Sequence, residues 1–297
     1  MPSPEAEAPR RDDPPESAES SSSASDAAST AKGSSGLGLA RLSHHRLFTP
    51  AGMELYRHIA RLVELGPEQE FLVVPCGTGS TARFLAETTR AAGAGVEPDA
   101  ELAESATRKA REAGLSDRLH FEHAALDDLP YKDDVFDVVI GEPALSEAAD
   151  PAAAVRELVR TAKPMGSVVL VQLIWTGNAG PARRDALIET LGVRPLLLVE
   201  WKQLLREAGV VDLYVEDWSD SADSPRQPWA LGALGGFGTL HDRVALALRA
   251  WRVSGWRGLR NALAFRDEIR HLVLNERILG LSLIRGTKWR ESDGTEA

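Results

Sequence analysis

Cysteine occurs once in the 297 residues, at Cys76, which excludes an internal disulfide and any multi-cysteine zinc site. No HxxxH or clustered His/Asp spacing offers a substitute, so no metal is expected. Long apolar runs are also missing. None reaches the roughly 20 residues that a membrane-spanning helix needs. Basic residues are outnumbered, 34 against 44 acidic ones, and a formal charge of −10 lacks the cationic face of a general nucleic-acid binder. The opening MPSPEAEAPRRDDPPESAES has no apolar core of the kind a secretory signal carries, so a cytoplasmic protein is expected. Residues 1–38 hold almost no large apolar side chains. Such a segment buries too little surface to offset its ordering entropy and reads as a disordered arm.

What the remainder contains is a regular alternation of strand and helix patterns. An amphipathic helix over 53–63 is stopped by Gly66-Pro67, and FLVVP (71–75) follows as a short apolar strand of the doubly buried kind. Helix 80–92, strand 94–97 and a helix from Asp99 to Gly114 come next. Strands at 118–123, 135–141 and 167–173 then bracket a helix over 151–162. A helix over 199–208, a strand over 210–216 and a last strand over 278–286 complete the series. This order predicts an α/β fold: a Rossmann-like, doubly wound, mostly parallel sheet. One domain is expected over 39–297, with its core at about 50–217 and 276–288. Residues 174–196 read as a long connection. Residues 218–275, rich in Trp and Gly, read as a small helical cap beyond a strand's carboxyl end, where ligands bind in such sheets.

The chemistry concentrates in VVPCGTGSTA (73–82). Gly77 and Gly79 at a strand-to-helix turn let a ligand approach the backbone, and the helix start offers free N–H groups. With Ala82 the spacing is Gly-x-Gly-x-x-Ala, and Glu97 ends the next strand, placed to accept from ribose hydroxyls. This set implies nucleoside binding. By itself it does not choose between a nicotinamide cofactor and S-adenosylmethionine.

Residues 124–173 and 201–217 add Leu129-Pro130-Tyr131, Phe136 to Val139, Asp150-Pro151, Ala162-Lys163-Pro164-Met165-Gly166 and the WKQLLREAGVVDLYVED segment. Together these resemble the class I S-adenosylmethionine-dependent methyltransferases, in the small-molecule branch with a ubiquinone- or arsenite-methyltransferase-like core. The resemblance implies a seven-stranded sheet closed by an antiparallel last strand, and transfer of a methyl group to a small-molecule acceptor. It implies cofactor contacts from Pro75, Cys76, Gly77, Thr78 and Gly79, from Glu97 and Pro98, from Ala125, Leu126 and Asp127, and from Glu142. Glu142 also falls where that family places a residue facing the transferred methyl. Glu142, His45 (beside His44) and Trp175 are the catalytic candidates, with Asp217, Trp218 and His241 as further acceptor-side positions. Arg249, Arg252, Arg257 and Arg260, interleaved with Trp251 and Trp256, form a basic cluster suited to a solvated face or an anionic substrate.

The chain departs from the family at several letters. Val73 replaces the loop acid that helps hold the methionine amino end, and Pro75 replaces the first glycine. Ala125 replaces the acid that reads the adenine amino group, for which Asp127 or Asp128 is the nearest substitute. Ser167 and Val210 replace a glycine and an aromatic. Loss of a charge-assisted hydrogen bond costs about 1.5–3 kcal/mol, which predicts affinity weakened by one to two powers of ten. The alternative reading is a non-catalytic binding or scaffold protein on the same fold. Nothing in the sequence names the acceptor or the oligomeric state.

Overall fold

The computed structural model describes residues 52–177, 179–191, 194–219 and 276–289. Helix α1 (Gly52–Leu62) leads into β1 (Glu70–Val74), α2 (Ser80–Thr89), β2 (Ala92–Glu97), α3 (Ala100–Glu112), β3 (Leu119–His123) and β4 (Phe136–Gly141). A single 3₁₀ turn (Pro143–Glu147) precedes α4 (Pro151–Thr161) and β5 (Ala162–Trp175). Helix α5 (Pro181–Leu191), β6 (Leu196–Leu197), α6 (Leu198–Glu207), β7 (Val210–Asp217) and β8 (Leu279–Lys288) follow.

The strands form one sheet in the order β3-β2-β1-β4-β5-β8-β7, with the two-residue β6 paired on β5. All pairs are parallel except those of β8, which is antiparallel to both β5 and β7. The order reverses between β1 and β4, so a crevice opens at the carboxyl ends of these two strands.

Strand side chains alternate between two apolar layers, as a period of two requires. Phe71, Val73, Val138, Ile140, Val169, Val171 and Leu283 face the layer that α1 and α2 cover. Leu72, Val74, Val139, Val168, Leu170 and Ile284 face the layer under α4 and α6, where Trp201 is fully enclosed. Burial of each such side chain is worth about 1.5–3 kcal/mol, so strands buried on both faces dominate the fold's stability.

Local signals account for the helix boundaries. The Asp99 carboxylate accepts from the N–H groups of Glu101 and Leu102, and that of Asp150 accepts from Ala152 and Ala153. Gly114, at φ +69°, follows the end of α3. Lys288 at the end of β8 donates to Asp134 Oδ1 at 2.7 Å and to the carbonyls of Arg160 and Ala162, tying the last strand to the end of α4.

The antiparallel β8 lies inside the sheet, between β5 and β7. Residues 174–196, expected to be a long connection, contain the end of β5, α5 and the first residue of β6. The predicted helix over 80–92 stops at Thr89, because Ala92 already pairs with Glu70 as the first residue of β2. The arm at 1–38, His44 and His45 lie outside the described residues. So does the proposed cap apart from Trp218 and Ser219.

Candidate active site

The glycine loop joins β1 to α2 at the switch-point crevice. The Val74–Pro75 peptide is cis, and Pro75 and Cys76 are buried. The Cys76 N–H donates to the Val96 carbonyl at 2.8 Å, which fastens the loop to β2. Desolvation pushes the Cys76 thiol well above its ordinary value, with further pushes from Glu97 and Glu142, so it is a packed neutral group.

The two glycines are present for different reasons. A Cβ on Gly79, at φ +72°, would meet the Phe121 ring at 2.8 Å. A Cβ on Gly77, at φ +55°, would meet nothing within 4 Å. Packing therefore demands the first, whereas the second faces open space, as a backbone approached by a ligand does. Gly79 is also the N-cap of α2, and no side chain caps that first turn.

Glu97, fully buried at the end of β2, braces the loop from beneath. Its Oε2 accepts the Gly77 N–H at 2.8 Å, and its Oε1 accepts the Asp99 N–H at 3.3 Å. Pro98, Ala125 and Asp127 are exposed nearby in sequence, and Leu126 is buried under the sheet. The turn after this segment is fixed from α4. Glu157 accepts the Leu129 N–H at 2.9 Å, while Arg160 donates to the carbonyls of Leu129 and Tyr131 and pairs with Glu157 and Asp133 at 2.7 Å.

Glu142 extends from the end of β4 across the mouth of the loop. Its backbone N–H donates to the Val74 carbonyl at 2.7 Å. The Tyr56 hydroxyl of α1 donates to its carboxylate, 2.7 and 2.8 Å from the two oxygens, and Thr81 of α2 adds a side-chain hydrogen bond. Desolvation raises this carboxyl to about 7, against the opposing pull of Tyr56 and Thr81. Gln172 of β5, fully buried, donates to the carbonyls of Gly141 and Glu142 at 3.1 and 2.8 Å.

A second polar group stands at the end of β7. Glu216 receives Tyr214 Oη and Trp218 Nε1, each at 2.8 Å, and contacts His58 Nε2 of α1 at 2.9 Å. Desolvation pushes Glu216 up, but the hydrogen bonds from Tyr214, Trp218 and His58 outweigh it and hold the carboxyl below its ordinary value. Chemically, this is a histidine oriented by a carboxylate, an arrangement able to accept a proton. No local pattern announces it, because His58 and Glu216 lie 158 positions apart. The roles of Tyr56 and Gln172 were hidden for the same reason.

Trp175 packs against Ala179, Leu187, Ile278 and Leu279 and is 5% exposed, so its surroundings account for it as core. His45 and His241 lie outside the described residues. Among the described residues no group of three His, Cys, Asp or Glu side chains is arranged to hold a metal, and no helix is long and apolar enough to cross a membrane.

A protein-family model described as a methyltransferase domain matches residues 72–170, the span from β1 through most of β5 that carries the loop, Glu97 and Glu142. Over that span the chain carries a methyltransferase domain of the class I S-adenosylmethionine-dependent type. The chain is 26% identical over 211 residues to the methyltransferase GfsG of Streptomyces halstedii, covering 68% of this chain and 74% of that one. It is 28% identical over 187 residues to 27-O-demethylrifamycin SV methyltransferase of Amycolatopsis mediterranei, covering 62% and 68%. Among solved structures it resembles the [4+2]-cyclase SpnF, with a TM-score of 0.62 and 24% identity over 80% of this chain and 81% of that one. That likeness shows the fold, which hosts more than one chemistry.

The residues fit S-adenosylmethionine as cofactor. The glycine with open space above it, the bracing acid at the end of β2 and the uncapped start of α2 leave room and backbone donors for a nucleoside-type ligand.

Proposed function

We propose that this enzyme methylates a small-molecule acceptor, with the cofactor over Pro75–Gly79, its ribose toward Glu97 and its adenine toward Pro98 and Ala125–Asp127. The observation that carries this reading is the open space above Gly77 in a loop braced by Glu97. Relatives named for small-molecule substrates support the acceptor class, among them one named for 27-O-demethylrifamycin SV.

S-Adenosylmethionine, when bound, supplies a methyl group activated by its sulfonium. The protein's part is to hold the cofactor and a second reactant in line and to keep water away, and orientation of that kind provides most of the rate. Gly77 and the first turn of α2 approach the cofactor by backbone, so its grip depends little on side-chain identity there. Glu97 holds Gly77 in place and offers oxygen atoms to hydroxyl donors. Where the acceptor carries a proton of high pKa, a base is also needed, and the His58–Glu216 pair is the described group suited to that task.

Calorimetry of the full chain with S-adenosylmethionine, S-adenosylhomocysteine and NAD tests this reading. Micromolar binding of the first two and none of NAD is expected. Their failure to bind below millimolar concentration would refute it. Binding without S-adenosylhomocysteine release across a panel of small-molecule acceptors would favour the non-catalytic alternative.

A further inference from the structure

The methionine portion of S-adenosylmethionine carries an α-ammonium group, and an enclosed site for a cation needs an opposing charge. The carboxyl end of strand β1, from Phe71 to Val74, offers none. Val73 is fully buried in the apolar layer beneath α1 and α2.

The register shows where an acid arises instead. Val73 is paired with Ile140 on β4, and both face the same layer. Glu142 lies two residues beyond Ile140, hence on that same face, one strand over and about 7 Å nearer the crevice. Its carboxylate reaches α1 at Tyr56 and the first turn of α2 at Thr81. Both partners are neutral hydroxyls, and among the described residues no lysine, arginine or histidine pairs with it. A partly buried carboxylate beside a cofactor loop, held in place yet lacking a counter-charge, is arranged to receive a cation from outside the chain.

We propose that Glu142 binds the α-ammonium group of S-adenosylmethionine, supplying from β4 the acid that position 73 lacks. This rests on the methyltransferase reading above. Tyr56 is the positioning residue, because its hydroxyl reaches both carboxylate oxygens. Gln172 fixes the backbone at the same point through the carbonyls of Gly141 and Glu142.

The test compares binding of S-adenosylhomocysteine with that of its desamino analogue, which keeps the carboxylate and lacks only the ammonium group. The full wild-type chain is expected to prefer the natural compound at least tenfold. In Glu142→Gln that preference should collapse, with S-adenosylhomocysteine weakened about 10- to 100-fold and the desamino analogue unchanged. Tyr56→Phe should reduce the preference by a smaller factor, and it serves if Glu142→Gln does not fold. An unchanged preference in a folded Glu142→Gln protein would overturn the proposal. If turnover fell while the preference stayed, the carboxylate would act on the acceptor instead, which also overturns it. Failure of both compounds to bind the wild-type chain would defeat the cofactor reading itself, and this proposal with it.

Discussion

Glu142 makes a pH prediction at the scale of one residue. The groups that face it are Tyr56 from α1 and Thr81 from α2, with the neutral Cys76 in the adjoining loop. Its carboxyl is raised from 4.5 to about 7 on folding, so the native state favours the protonated form. The contribution to stability is therefore complete below pH 4.5 and lost as pH rises through about 7. The melting temperature of the free protein should fall over that interval, and Glu142→Gln should remove that part of the decline. Identical pH profiles for the two proteins would contradict the assignment. Affinity for S-adenosylhomocysteine should move the opposite way, strengthening from pH 6 to 8 as the carboxylate ionises. Glu97 makes a separate prediction, because it braces the loop and, in the proposed function, also takes the ribose. Glu97→Ala should weaken cofactor binding by tenfold or more, and calorimetry showing unchanged affinity would refute its role. Both acids were legible in the sequence, as residues ending strands beside a glycine loop. What Glu142 touches was not, since Tyr56 lies 86 positions away and only the folded sheet brings them together.

Among the elements, the β1–α2 turn carries the sharpest contrast. Gly77→Ala and Gly79→Ala both place a side chain at positive φ, which costs about 1–2 kcal/mol. Gly79→Ala must in addition displace Phe121, so it should unfold at clearly lower urea concentration than Gly77→Ala. Gly77→Ala should instead lose cofactor affinity, since its methyl group fills the space above the loop. A reversed order, with Gly77→Ala the less stable protein, would undo this division of labour. The strand–helix alternation was readable because β1, β4 and β5 are buried on both faces and their helices carry one apolar stripe. Helix α5 was not readable, for a physical reason. Of PARRDALIETL only Leu187 is buried among its described side chains, so no stripe of apolar residues marks the helical period. The three-to-four-residue recurrence that announces α4 (Ala154, Val155, Leu158, Val159) has no counterpart there.

At the scale of the whole molecule, the sheet depends on β8. Leu283 and Ile284 put adjacent side chains into opposite apolar layers, so this one strand completes both. Leu283→Ala should cost about 2–5 kcal/mol, read as a lower urea midpoint. An unchanged midpoint would show that the α1–α2 layer closes without it. The alternation of elements implied a doubly wound, mostly parallel sheet, and the resemblance implied an antiparallel last strand. Insertion of that strand between β5 and β7 depends on pairings remote in sequence, such as Ser167 with Thr287 and Val211 with Thr287, which no local pattern announces. The same placement governs how the chain is made. Synthesis delivers β5 and β7 well before the strand that joins them, so each leaves the ribosome with a raw hydrogen-bonding edge. Nascent chains halted near residue 275 would carry two such edges, and Val169 and Val171 beside one of them would invite pairing with a stranger. For this protein the hazardous interval of biogenesis lasts until residue 288 clears the exit tunnel.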